Sequence, residues 1–221
     1  LVLETKEVRD IKSEIKNLSY GIRKINKSED KKIFLKSFLK SCEKIADYSA
    51  SSLGSILYSL IPQSILESKK LPVVIEKEID GFYETQLLQS ESEERYATYR
   101  SIIREEFAKN KSVYFCLPTT EDILNSKNIL EKGIEQYTYI FHGGLTPKEL
   151  EKMWIDVLEN EHPVLIIATG YFLSIPRNDI GTIILDKEAS RGYKMQTRPF
   201  LDIRVVAEQI AKESKRKLIL G

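Results

Sequence analysis

Along the first third of the chain apolar residues return every three to four positions; beyond it they gather into short runs separated by amphipathic stretches. Val8, Ile11, Ile15 and Leu18 predict an amphipathic helix over 5–19. Ile33, Leu35, Phe38, Leu39, Cys42, Ile45 and Ala46 predict a second over 30–48, with Ser28 and Asp30 offering N-cap oxygens. Leu53, Ile56, Leu57, Leu60 and Ile61 predict a third, stopped by Pro62. Three short helices describe a small helical or winged-helix-like domain over 1–70. The polar segment Glu67–Pro72 ends in proline and marks its boundary with a second domain over 71–221.

In that second part apolar strands are predicted at 82–88, 112–117, 136–141, 163–168, 180–186 and 217–220. They alternate with helices at 92–109, 121–132, 146–160 and 200–213. Such alternation predicts an α/β fold, a parallel sheet flanked by helices. The runs Val164–Ala168 and Ile183–Leu185 are almost continuously apolar, as central strands covered on both faces must be. Ligands of such sheets gather at the carboxyl ends of strands, which directs attention to the loops at 89–95, 169–174 and 186–198.

Hydrophobic residues at 42% and charged residues at 30% exclude a disordered or fibrous chain. No apolar run approaches the roughly 18 residues of a membrane helix, and the N-terminal residues lack a signal-peptide core, so a cytoplasmic protein is expected with no membrane partner. Cys42 and Cys116 are far apart, with only His142 and His162 as further soft ligands, so no metal site is expected and both thiols should be reduced and buried. Residues 1–70 carry 14 Lys and Arg against 9 Asp and Glu, and the remainder 20 against 24. A basic front part suits nucleic-acid phosphates, and solvated lysines on helix faces would give the same count.

The segment Thr182-Ile183-Ile184-Leu185-Asp186-Lys187-Glu188-Ala189 has the form of a nucleotide-hydrolysing strand end. There a first acid holds Mg²⁺ through water and a second polarises the attacking water. Asp186 suits the first task, but Lys187 cannot accept a proton at neutral pH.

Residues 141–153 (Phe-His-Gly-Gly-Leu-Thr-Pro-Lys-Glu-Leu-Glu-Lys-Met) are followed by Trp154, Pro163–Pro176, Gly181–Asp186 and Tyr193-Lys194-Met195-Gln196. This series resembles the first helicase lobe of primosomal protein N′, the bacterial replication-restart DNA helicase family. Leu39–Pro62 resembles the winged-helix region that precedes that lobe. The resemblance implies a RecA-like, P-loop-NTPase-type sheet, an ATP-dependent 3′–5′ DNA helicase activity, ATP and Mg²⁺ as cofactors, and DNA and replisome proteins as partners.

The departures from that pattern are specific. The family's phosphate loop should lie at Gln89-Ser90-Glu91-Ser92-Glu93-Glu94-Arg95, which contains no glycine. Each glutamate there would repel a phosphate charge about 4 Å away by roughly 4 kcal/mol at an effective dielectric of 20. Arg95 stands either in place of the family's lysine, as a vestigial nucleotide contact, or as an exposed helix residue. Where the family has three acids and a histidine, this chain has Asp186, Lys187, Glu188 and Ala189. Glu188 is a displaced substitute for the second acid, and Lys187 is expected to pair with Asp186, Glu188 or a glutamate of 91–94. The sequence also stops at Leu218–Gly221, where the family continues into a further motif and a second lobe.

His142-Gly143-Gly144 is expected to form a tight strand-to-helix turn, with contact to a DNA phosphate as the alternative reading, and the resemblance implies a DNA contact at Thr169, beside which Gly170 replaces an arginine of the family. The loop with Arg191, Tyr193, Lys194, Arg198 and Phe200 has two readings: a DNA contact in which cations track phosphates and aromatic rings stack on bases, or an ordinary polar loop in which Tyr193 and Phe200 pack on the domain. The expected protein is a divergent primosomal helicase relative that binds forked or single-stranded DNA without hydrolysing ATP, with Asp186 and Glu188 only vestigial catalytic positions. A fragment of a working helicase and a non-enzymatic protein-interaction module that kept the fold are the alternatives.

Overall fold

A computed structural model of the chain describes residues 31–77 and 81–221, with isolated positions 9, 12, 13 and 16. Apart from those positions, the helix predicted over 5–19 and the N-cap residues Ser28 and Asp30 lie outside the described residues. The chain divides into two compact units, Leu1–Lys31 and Lys32–Gly221. All elements that follow belong to the second.

Three helices open it: α1 (Lys36–Tyr48), α2 (Leu53–Leu60) and α3 (Gln63–Glu67). The first starts at Lys36, later than the apolar period suggested, because Ile33–Leu35 reach the core in non-helical conformation and Leu35 takes the N-cap position. Ser52 caps α2 by accepting from the Ser55 N–H. Pro62, which ends α2, serves as N-cap residue of α3.

The sheet is built from β1 (Glu84–Leu87), β2 (Ser112–Cys116), β3 (Thr138–Phe141), β4 (Leu165–Ala168), β5 (Ile180–Leu185) and β6 (Lys217–Leu220). Between them run α4 (Ser92–Ala108), α5 (Thr120–Leu130), α6 (Pro147–Glu159) and α7 (Ile203–Glu213). All strand pairs are parallel and the order is β1-β6-β5-β2-β4-β3. The fold is therefore the expected α/β one, with the two most apolar strands, β4 and β5, flanking the central β2.

Side-chain alternation along the strands divides the core into two faces. Val113, Phe115, Leu165, Ile167, Ile184 and Ile219 pack under Tyr96, Tyr99 and Ile103 of α4 and Ile123 and Leu130 of α5. Tyr114, Cys116, Ile166, Ala168, Ile183 and Leu185 pack under α6 and α7, with Trp154 of α6 wholly buried. Cys42 and Cys116 are both buried and unpaired, and burial, helped by Glu43, raises the Cys42 thiol to about 12.

Helices α1 to α3 belong to this second face. Phe38, Cys42, Ile45, Ile56, Leu57, Leu60 and Ile65 are continuous with the core under α6 and α7. The polar segment after residue 67 therefore does not separate two cores, and no strand accompanies α1 to α3 among the described residues. Hydrophobic burial offers the reason, since three short helices alone would leave an apolar face in water. Ser41 of α1 donates to the Gln209 carbonyl of α7, and Lys40 and Lys44 pair with Glu213.

Candidate functional site

Register fixes which residues meet at the carboxyl ends of the strands. Phe141 lies beside Ala168, Ala168 beside Cys116, Cys116 beside Leu185, Leu185 beside Leu220, and Leu220 beside Leu87. The residues that follow, His142, Thr169, Leu117, Asp186, Gly221 and Leu88, therefore emerge as a row with neighbours about 4.8 Å apart. Asp186 stands near its middle.

The Asp186 side chain is fully buried and its carboxylate is ringed by donors. Arg95 Nε donates to Oδ1 at 2.8 Å, the Tyr99 hydroxyl to Oδ1 at 3.1 Å, and the Tyr96 hydroxyl to Oδ2 at 2.9 Å. Because the single Tyr96 proton goes to the carboxylate, Ser126 of α5 donates to Tyr96 across 2.7 Å. All three donors come from the first two turns of α4, where positions 95, 96 and 99 share a helix face. Burial raises both tyrosine hydroxyls above their ordinary pKa, so they stay protonated donors at physiological pH. Arg95 is a structural partner here: its side chain is 18% exposed, and Nη1 also donates to the Ser90 carbonyl at 3.0 Å.

ATP and Mg²⁺, which the resemblance implies, do not fit this arrangement. A metal or its water would have to displace a guanidinium or a phenol from Asp186 while excluded from solvent. The connection from β1 to α4 spans only Leu88–Glu91, and Leu88 N–H is spent on the Leu220 carbonyl at 2.7 Å. A phosphate cradle needs a run of free inward N–H groups in a glycine turn. Glu91, Glu93 and Glu94 are exposed there, at the helix N-terminus where the dipole favours them.

Lys187 and Glu188 also depart from expectation. The strand ends at Leu185 and Lys187 adopts a left-handed conformation, φ 58°. Extended geometry therefore does not continue, and Glu188 does not line up behind Asp186. Its N–H donates to the Gly221 carbonyl and its carbonyl accepts from Arg204. Lys187 pairs with Asp122 in the first turn of α5, and not with Asp186, Glu188 or the glutamates of 91–94. At Asp122 burial pushes the carboxyl up, but hydrogen bonds from Lys187 and Thr119 outweigh it and the net shift is down.

The expected DNA contacts divide into two groups. His142 and Thr169 follow paired residues, so the register brings them together. His142 Nδ1 accepts from the Gly144 N–H at 3.1 Å and shapes its own turn. A capping box at Thr146 and Glu149, with Pro147 next, starts α6 immediately after. Arg191, Lys194 and Arg198 are exposed, and none is in an ion pair among the described residues. Tyr193 differs. It is 1% exposed, and its hydroxyl lies 2.6 Å from the Asp186 carbonyl and 3.0 Å from that of Cys116. Its ring cannot stack on a base; it anchors the cation-bearing loop to the ends of β2 and β5. Gly170 is equally constrained, since a Cβ there would lie 2.1 Å from Ile203 Cγ2. No arginine can stand beside Thr169.

Sequence reasoning missed Tyr96 and Tyr99 as the partners of Asp186. The available signal was their spacing with Ile103, which marks a buried helix face, together with the need of a buried phenol for an acceptor. Among the described residues no group of three or more His, Cys, Asp or Glu side chains could hold a metal ion, and no helix is long and apolar enough to cross a membrane.

No protein-family model matches the chain. Replication restart protein PriA of Helicobacter pylori is 23% identical over 123 residues, covering 56% of this chain and 20% of that protein. PriA of Rickettsia prowazekii is 23% identical over 201 residues, covering 80% of this chain and 30% of that protein. The chain thus spans less than a third of these relatives. Among solved structures, the UvsW helicase of bacteriophage T4 aligns over 98% of this chain and 60% of its own, with TM-score 0.40 and 11% identity. The C-terminal domain of Saccharomyces cerevisiae Dbp5 aligns over 65% and 76%, with TM-score 0.41 and 14% identity. The likeness read from motifs at 141–196 thus has its counterpart in the sequence comparison: the chain is similar, at low identity, to a segment of replication restart protein PriA.

Proposed function

We propose that this chain is a helicase-like, DNA-binding segment of RecA-like type that does not hydrolyse ATP. It acts in the cytoplasm in replication restart, through forked or single-stranded DNA and replisome proteins. The observation that carries the loss of hydrolysis is the saturation of Asp186 by Arg95, Tyr96 and Tyr99. The DNA reading is supported by three exposed cations, Arg191, Lys194 and Arg198, on a loop anchored at the strand ends near His142 and Thr169.

Two measurements test this reading. A thermal shift with Mg²⁺-ATP should be absent, whereas a ligand at 100 times its Kd would add about 2.7 kcal/mol. Forked DNA should bind with an affinity that falls with salt, and removing the three cations should flatten the log–log salt slope by about 2. Binding that is absent at about 50 mM salt leaves only the protein-interaction module. A second reading, a segment of an active helicase, is favoured by the greater length of the relatives. It requires Mg²⁺-ATP to stabilise the protein.

A further inference from the structure

Tyr58 stands outward from α2 with 65% of its surface exposed, although its neighbours Ile56, Leu57 and Leu60 are buried in the core. Helix α2 packs on the short turn Gly170–Phe172 that follows Thr169. Within that turn Tyr171 is half-buried, edge-on to Phe172 at 5.4 Å, with its hydroxyl 3.4 Å from the Ile61 carbonyl just beyond α2. The Tyr58 and Tyr171 phenols are near enough that, after burial, Tyr58 is the next influence raising the Tyr171 pKa. On its other side the same turn packs through Gly170 on Ile203, which follows Asp202, and Asp202 bridges Lys194 of the loop that carries Arg191 and Arg198.

We propose that Tyr58 and Tyr171 form a stacking step for unpaired bases of single-stranded DNA, extending the strand's path from the sheet ends onto α2. This rests on the DNA-binding reading above. The chemistry selects a single strand, because the bases of a duplex cover one another's faces whereas an unpaired base offers a free π-face to tyrosine. The cations supply the other half of the recognition by tracking phosphates beside the rings. The pairing of an exposed ring with a half-buried, hydrogen-bonded one gives a platform whose inner ring is already ordered, so little conformational entropy is lost on binding.

The test is fluorescence anisotropy with the full chain, a labelled oligothymidylate and a blunt duplex of equal length, at about 50 mM salt. Tyr58→Leu should weaken oligothymidylate binding by about 5- to 150-fold, the equivalent of about 1–3 kcal/mol per stacked base. Duplex binding and the salt slope should be unchanged, and Tyr171→Phe, which keeps the ring and loses only the bond to Ile61, should bind as the wild type. Unchanged oligothymidylate affinity in Tyr58→Leu, while the triple Arg191→Ala, Lys194→Ala, Arg198→Ala variant loses binding, overturns the stacking step and leaves the DNA reading standing. An equal loss for duplex and single strand also overturns the step. A wild-type chain that binds neither probe overturns both.

Discussion

Replacing Asp186 with asparagine keeps the shape of the side chain but removes its charge and turns one acceptor oxygen into a donor. Three donors converge on that carboxylate, at 2.8, 2.9 and 3.1 Å, and Asp186, being fully buried, has no water to replace them. Hydrogen bonds to a charged group contribute about 1.5–3 kcal/mol each, and breaking a buried pair on one side costs about 3–5 kcal/mol. The amide of the Asp186→Asn variant would keep one good acceptor, so the expected loss is smaller, about 2–4 kcal/mol. Tyr99→Phe should lose about 1–2 kcal/mol, and the double variant less than the sum, since both act on the same oxygen. Urea unfolding gives these differences as shifts in midpoint at constant slope. A free carboxylate kept for metal would give the opposite result. If Asp186→Asn is neutral or stabilising, the ring of donors does not hold the fold and Asp186 is not tied up by Arg95, Tyr96 and Tyr99.

Lys187→Glu restores the acid at the family's position but sets it against Asp122, so it should cost about 0.5–1 kcal/mol and still give no Mg²⁺-ATP thermal shift; a clear shift would contradict the arrangement at Asp186. Gly170→Ala should destabilise by about 1–3 kcal/mol through overlap with Ile203, and Ile203→Ala should relieve part of that cost in the double variant, measured by urea unfolding. Asp202 caps α7, and the Arg204 guanidinium holds its carboxyl below the ordinary value of 3.8 against the opposing effect of burial. A depressed folded-state pKa means that this stabilisation is complete above the unfolded value and disappears as pH falls through the folded one. Asp202→Asn keeps the cap and should lose about 0.5–1 kcal/mol at pH 7, with both proteins converging in acid; a difference that persists once the carboxyl is protonated would count against the ion pair.

The alternation of short apolar runs with helical periods located all six strands and the helices between them within a few residues. It did so because β4 and β5 are buried on both faces and the α6 helix carries its own capping box. The start of α1 was less legible: Ile33 and Leu35 look helical by spacing, yet their burial is satisfied by packing, without a helix. The polar stretch after Glu67 looked like a domain boundary, since sequence reports local polarity and not whether the apolar faces on either side share one core.

At the site, composition alone determined what is missing. A strand end with lysine after Asp186, and a glycine-free turn before α4, depart from the pattern of a phosphate cradle, whose turn glycine enters most cheaply and whose proton acceptor a protonated lysine does not supply. The replacement could be decided only by the fold. Lys187 reaches Asp122 because its backbone leaves the strand direction at φ 58°. Tyr193 turns inward because its buried phenol meets the Asp186 carbonyl just past β5 at 2.6 Å, with the Cys116 carbonyl at the end of β2 3.0 Å away. Asp186 is held by residues about ninety positions away in the chain, and such long-range pairings follow from sheet order and register, which no local pattern of residues encodes.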